Sequence, residues 1–238
     1  MLQPLSLLRE GKSKRIYATD DPDLAIEFFK DDAMAFHGLK RGRILGKGEI
    51  NNAISRQFFN LLTENGIPNH YVEELDSRSS VVKRCDMFGV GIKVRNRAAG
   101  SLAQRLGITE GQPLQPPIVE YVLRGRDADD PLINMTHVLA LRLASHAEME
   151  QATEIALRVN EIIGAYMREI GIELIDFKLE FGRFHGDILV ADEISPDVAR
   201  FWDARTHEPL DMDRFRRDMG NTEAGYRELL HRMMGSEE

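Results

Sequence analysis

Between Glu173 and Phe181 the chain reads Glu-Leu-Ile-Asp-Phe-Lys-Leu-Glu-Phe, with apolar and ionisable residues in alternation. A strand has a side-chain period of two, which puts Ile175, Phe177, Leu179 and Phe181 on one face and Asp176, Lys178 and Glu180 on the other, about 7 Å apart. A second apolar run, Ile188 to Ile194, follows Gly182 and His185-Gly186-Asp187, so a β-hairpin is expected. The second run carries Asp192 and Glu193 and leads into Ser195-Pro196-Asp197, gathering carboxylates on one sheet surface around Lys178. A water-facing strand of alternating charge is the simpler alternative. Clustered carboxylates repel one another unless a hard cation neutralises them, and magnesium held by one or two carboxylates plus phosphates meets that need. The hairpin register is the test. A three-residue loop at 185–187 sets Glu180 opposite Asp192, whereas a two-residue turn sets it opposite Ala191 and removes the shared metal position.

The rest of the chain predicts an α+β fold. Ile16 to Ala18 and Leu24 to Phe29 flank Asp20-Asp21-Pro22-Asp23, a turn sequence, and predict a first hairpin. Ile50, Ile54, Phe58 and Leu61 recur at helical spacing and stop before Gly66 and Pro68, so a helix is expected from Lys47 to Asn65. Strand-like segments follow at His70 to Leu75, Ser80 to Cys85 and Gly91 to Val94, with Met87 to Gly91 as a hinge. The longest apolar stripe, from Ala147 to Glu169, predicts a helix packed beneath a second lobe. Asp213 to Met234 reads as one or two helices broken near Gly220. The expected division is a β-rich N-terminal lobe, 1–86, and an α+β lobe, 87–238.

With 238 residues the chain can bury a real core. Its net charge of -8 disfavours a nucleic-acid partner but leaves room for a local basic pocket that binds a phosphorylated metabolite. The single cysteine, Cys85, excludes an intrachain disulfide and a thiolate metal cluster. Met1 to Glu10 carries no basic leader, and its apolar stretch is too short for a signal peptide or a membrane span, so a cytoplasmic location is expected.

Two further segments suit phosphate. Glu10-Gly-Lys-Ser-Lys14 lacks the spacing of a P-loop, yet a glycine beside two lysines can cover a nucleotide. A solvated basic turn is the alternative. In Val94 to Leu102, Arg95 and Arg97 precede a small-residue turn that opens a helix, whose first NH groups, with Ser101 and Arg95, make a phosphate position. A capped helix with surface arginines is equally compatible with that stretch. Arg200 is the natural second clamp. A kinase is the weaker reading, since no histidine-arginine-aspartate loop is present.

Glu10 to Lys14, Phe29 to Ala33, Gly46-Lys-Gly48 with Asn51-Asn52, Val94 to Leu102, Asp176 to Gly182, and Ala191 to Asp197 with Arg200 to Asp203 resemble SAICAR synthetase in order and spacing across nearly the whole chain. The resemblance implies two lobes around an ATP cleft, distantly like kinases. It also implies ATP-dependent coupling of L-aspartate to the carboxylate of carboxyaminoimidazole ribonucleotide through an acyl phosphate. By this resemblance Gly11, Lys12, Ser13 and Lys14 hold ATP phosphates, Lys83 and Met87 border the adenine, and Glu180 and Asp192 bind Mg2+. Arg95, Ser101 and Arg200 grip the ribonucleotide phosphate, Asp176 and Lys178 sit beside the reacting carboxylate, and Lys12, Asp176 and Lys178 form the catalytic set. Dimers are common among bacterial members, so a homodimer is a further expectation.

The chain departs from the family pattern at Gly89, Gly91, Arg124, Arg126 and Met135. Those departures leave open a relative that amidates a related heterocyclic nucleotide carboxylate, and a non-catalytic nucleotide-binding duplicate.

Overall fold

The computed structural model describes residues 2–35, 38–124 and 130–235. Two antiparallel sheets organise them. The first takes β1 (Leu7–Glu10), β2 (Lys14–Ala18), β3 (Leu24–Phe29), β6 (Tyr71–Asp76) and β7 (Ser79–Lys83) in the order β1-β2-β3-β7-β6. The turn between β2 and β3 is fixed by its own side chains: Thr19 Oγ1 donates to the Asp21 carbonyl at 2.8 Å and Asp23 N to Asp21 Oδ1 at 2.9 Å. A small ribbon of β4 (Asp32–Ala35) and β5 (Lys40–Arg43) leads into α1 (Lys47–Glu64), which ends ahead of Gly66 at a φ of 71°.

The second sheet runs β10-β9-β8-β11-β12, built from β8 (Asp86–Arg97), β9 (Pro113–Leu123), β10 (Leu132–Ile133), β11 (Ile172–Phe184) and β12 (Asp187–Ala191). A further strand, β13 (Ala199–Asp203), pairs with the start of β11 on the edge opposite β8. Helices α2 (Ser101–Leu106), α3 (Met135–Ala140), α4 (His146–Glu169), α5 (Asp213–Arg216) and α6 (Thr222–Met234) complete the chain. A capping box between Ser145 and Glu148 starts α4.

The sheets part between Lys83 and Asp86, but the hydrophobic core does not part there. Ile54, Phe58 and Leu62 of α1 join Met149, Ala156 and Val159 of α4 and Phe177, Leu179 and Phe181 of β11 in one cluster, with Phe58 stacked on Phe201 at 5.9 Å. Helix α1, which follows the β4–β5 ribbon, therefore packs on α4 and α6 as well as on β3 and β6 of the first sheet. Met87 to Gly91, expected as a hinge, are instead part of β8, and Gly89, at a φ of 73°, marks an irregularity in its pairing with β11.

The alternation expected for β11 also slips. Its pairing with β13 shifts register between Leu174 and Asp176, so Ile175 leaves the core face and packs with Ala99 and Trp202. Phe177, Leu179 and Phe181 keep the core face, and the opposite face is not water-facing: Asp176 and Glu180 are each only 4% exposed.

Candidate active site

A cleft of about 1160 Å³ is lined from both sheets: by Gly11 to Lys14, by Lys93 and Arg95, by Asp176, Lys178 and Glu180, by Asp192 and Glu193, and by Arg200. The turn between β1 and β2 is closed by Gly11 N donating to the Lys14 carbonyl at 2.8 Å. It is tied to the end of β12 twice, through Ser13 Oγ to Glu193 Oε1 at 2.8 Å and Lys14 Nζ to Asp192 Oδ1 at 2.7 Å. Lys12 lines the cleft on the same turn. The glycine-lysine segment is thus anchored over the carboxylates and is not an isolated basic turn.

The hairpin register overturns the pairing on which the sequence argument for the metal rested. His185 and Gly186 form a two-residue turn, both with positive φ, and Glu180 pairs with Ala191. Strand alternation would then send the Asp192 side chain to the far face. It does not, because β12 ends at Ala191 and Asp192 adopts a left-handed φ of 68°. Both carboxylates consequently face Arg124, whose Nε lies 2.7 Å from Glu180 Oε2 and whose Nη2 lies 3.8 Å from Asp192 Oδ1. The two groups meet by a route that the hairpin loop length alone does not reveal.

Their surroundings push the two groups in opposite directions. Burial and the neighbouring Asp192 raise the Glu180 pKa against Lys178 and Arg124. Burial works against Asp192 too, yet Lys14, Arg124 and Lys178 together hold it well below the carboxylate range. Glu180 Oε2 is buried and receives no aligned hydrogen bond despite its ion pair with Arg124, which leaves a carboxyl oxygen with coordination to give. No group of three or more metal-ligating side chains occurs among the described residues. A cation here would take two protein carboxylates and fill its shell from phosphate and water, which is how magnesium binds.

Asp176 lies at the centre of the other half of the cleft. Its two register partners are Arg95 on β8 and Arg200 on β13, and both guanidinium groups donate to it at 2.9 Å. Arg95 also reaches Glu120 at 2.6 Å and Arg200 reaches Asp213 at 2.8 Å, so each planar fork is held at two points. Gly100, just before Ser101 opens α2, has a φ of 52°, and a Cβ there would stand 2.6 Å from Arg200 Nη2. Arg95, Ser101 and Arg200 thereby line one end of the cleft. Lys178 connects the two halves, paired with Glu180 at 3.2 Å and Asp130 at 2.9 Å. Its stem lies over Gly91, where a Cβ would be 3.0 Å from Lys178 Cδ. Lys83 and Met87 do not line the cleft: Lys83 donates to the Asn69 carbonyl at 3.3 Å, and Met87 pairs with Gly182.

Residues 7–233 match the family model described as SAICAR synthetase. The chain belongs to the SAICAR synthetase family. It is 49% identical over 235 residues to the phosphoribosylaminoimidazole-succinocarboxamide synthase of Chlorobium luteolum, covering 99% of this chain and 98% of that one. Among solved structures, the corresponding synthase from Ehrlichia chaffeensis superposes with a TM-score of 0.93 at 37% identity, covering 96% of this chain and 98% of that one. A SAICAR synthetase in complex with ADP gives 0.92 at 45% identity, covering 96% and 97%.

Within this SAICAR synthetase fold, sequence reasoning missed Arg124 and Asp130 as members of the cleft, whereas Glu193, expected among the converging carboxylates, does line it. It also missed the Lys47–Asp197 ion pair, which joins the fully buried start of α1 to the loop after β12, with Tyr226 donating to Asp197 at 2.7 Å. Glu193 had a readable signal, since it adjoins Asp192 and precedes Ser195, whose hydroxyl donates to it at 2.5 Å. Arg124 had none, because its partners are 56 and 68 positions away in sequence. Arg126 lies outside the described residues.

Proposed function

We propose that this chain is an ATP-dependent carbon–nitrogen ligase that joins L-aspartate to the carboxylate of carboxyaminoimidazole ribonucleotide, giving the succinocarboxamide, ADP and phosphate. The convergence of Lys14, Lys178, Glu180 and Asp192 in one cleft beside the Arg95–Asp176–Arg200 cluster carries this reading. One group of residues suits a polyphosphate, the other suits a phosphorylated carboxylate, and Lys178 joins them.

In the proposed mechanism the turn from Gly11 to Lys14 covers the ATP phosphates. The adenine is proposed to extend beyond the walls of this cleft toward Lys83 and Met87, where β7 passes to β8. Arg95, Ser101 and Arg200 orient the ribonucleotide, and Asp176 and Lys178 lie beside its carboxylate. That carboxylate attacks the terminal phosphorus as the bond to the bridging oxygen breaks with its electron pair leaving on ADP, and Lys12 and Lys178 stabilise charge on the transferring oxygens. When bound at Glu180 and Asp192, Mg2+ would supply further neutralisation of phosphate charge. The neutral aspartate amine then adds to the acyl carbon, its extra proton passes to solvent, and the carbon–oxygen bond breaks with its electron pair leaving on phosphate. A cytoplasmic location and a homodimer belong to the same proposal; no helix among the described residues is long and apolar enough to cross a membrane.

ADP release with each substrate omitted in turn, followed by product mass, tests the proposal. Turnover should require both the imidazole ribonucleotide and aspartate. ADP release with a different carboxylate and none with these would reassign the substrate.

A further inference from the structure

The cleft's sheltered cations are nearly all matched to carboxylates. Lys14 pairs with Glu27 and Asp192, Arg95 with Glu120 and Asp176, Arg124 with Glu180, Lys178 with Glu180 and Asp130, and Arg200 with Asp176 and Asp213. Lys93 is different. It lines the same cleft, half-buried on β8, and no carboxylate among the described residues forms an ion pair with it. Its register partner on β9 is Glu120, but that carboxylate is taken by Arg95 and Arg105. Asp130 and Asp176 are each held by other cations.

We infer that Lys93 binds a carboxylate of the amino-acid substrate, and so holds the incoming amine against the acyl carbon.

The placement supports this. Lys93 is the direct register partner of Lys178 on the neighbouring strand, so both side chains rise from the same face of the sheet about 4.8 Å apart at their bases. Lys178 is assigned to the reacting carboxylate, and an amino acid attacking there carries its carboxylates two and three bonds from its nitrogen. A cation one strand over from the reacting group is where such a carboxylate falls, and fixing it turns a bimolecular encounter into an oriented one. Burial, with repulsion from Arg95 and Lys178, lowers the Lys93 ammonium to about 8, and Asp130 and Asp176 offset this only in part. A bound carboxylate would relieve that cost, which favours an anionic partner over a neutral one.

The inference rests on the ligase reading, and steady-state kinetics of Lys93→Met and Lys93→Arg separate the two. Lys93→Met should raise the aspartate KM at least tenfold while the KM values for ATP and the ribonucleotide stay within about twofold, and Lys93→Arg should recover part of the loss. Comparing aspartate with asparagine and with the aspartate α-amide identifies the carboxylate held, because one of these analogues will no longer distinguish Lys93→Met from the parent. Isothermal titration of aspartate into the ADP-loaded proteins gives the same comparison without turnover, and thermal melting checks that both variants fold. Unchanged aspartate affinity, or a loss that falls only on kcat or on the ribonucleotide KM, overturns the inference. A parent enzyme indifferent to aspartate would instead remove the ligase reading.

Discussion

Glu180 and Asp192 are one residue out of register across the β11–β12 hairpin and still face one guanidinium, that of Arg124, at 2.7 and 3.8 Å. The left-handed backbone at Asp192 accounts for it. If these carboxylates are the cation ligands, Glu180→Gln and Asp192→Asn should each weaken Mn2+ binding to the ADP-loaded protein at least tenfold, about 1.4 kcal/mol. Electron paramagnetic resonance of free Mn2+ measures this directly.

Arg124 competes for the same oxygens. Opposite charges a few ångströms apart near a protein surface interact by about 4 kcal/mol, so displacing Arg124 opposes cation entry. Arg124→Met should therefore tighten Mn2+ binding to the nucleotide-free protein by about tenfold, roughly 1.4 kcal/mol. The same titration without ADP shows whether it does.

Asp176 neutralises two arginines at once, and its side chain is 6% exposed. Asp176→Asn leaves both guanidinium groups sheltered with one carboxylate fewer, a change that costs about 3 kcal/mol where a buried pair is broken. The urea midpoint should fall accordingly with an unchanged m-value, and ligase turnover should be lost.

Glu27 gives a pH signature. Burial, with the charges of Asp192 and Glu193 adding to it and Lys14 opposing, raises its carboxyl from 4.5 to about 7. The folded state binds this proton more tightly than the unfolded chain does. The stabilisation is therefore complete below about 4.5 and lost as the pH rises through about 7. Glu27→Gln should flatten the fall in unfolding free energy over that window, by no more than about 3.4 kcal/mol. Denaturation midpoints at half-unit pH steps measure the difference.

Much of this architecture is local and was legible. The stripe of Ile50, Ile54 and Phe58 ending at Gly66, the Asp20–Asp23 turn and the long apolar stripe of α4 each announce their element within a few residues. The candidate site's residues were legible as types, with Asp176, Lys178 and Glu180 spaced along one strand. Its geometry was not. The slip at Ile175 depends on β13, which lies more than twenty residues downstream, and positive φ at a non-glycine residue such as Asp192 leaves no compositional mark. Arg124 meets Glu180 only once β9 and β11 flank β8.

The central claim is that ATP activates a carboxylate beside Lys178 as an acyl phosphate. Turnover of carboxyaminoimidazole ribonucleotide labelled with oxygen-18 in its carboxylate tests it most directly. Transfer of one labelled oxygen to the released phosphate, read by mass spectrometry, is the expected result; phosphate that carries no label, with amide still formed, would contradict it.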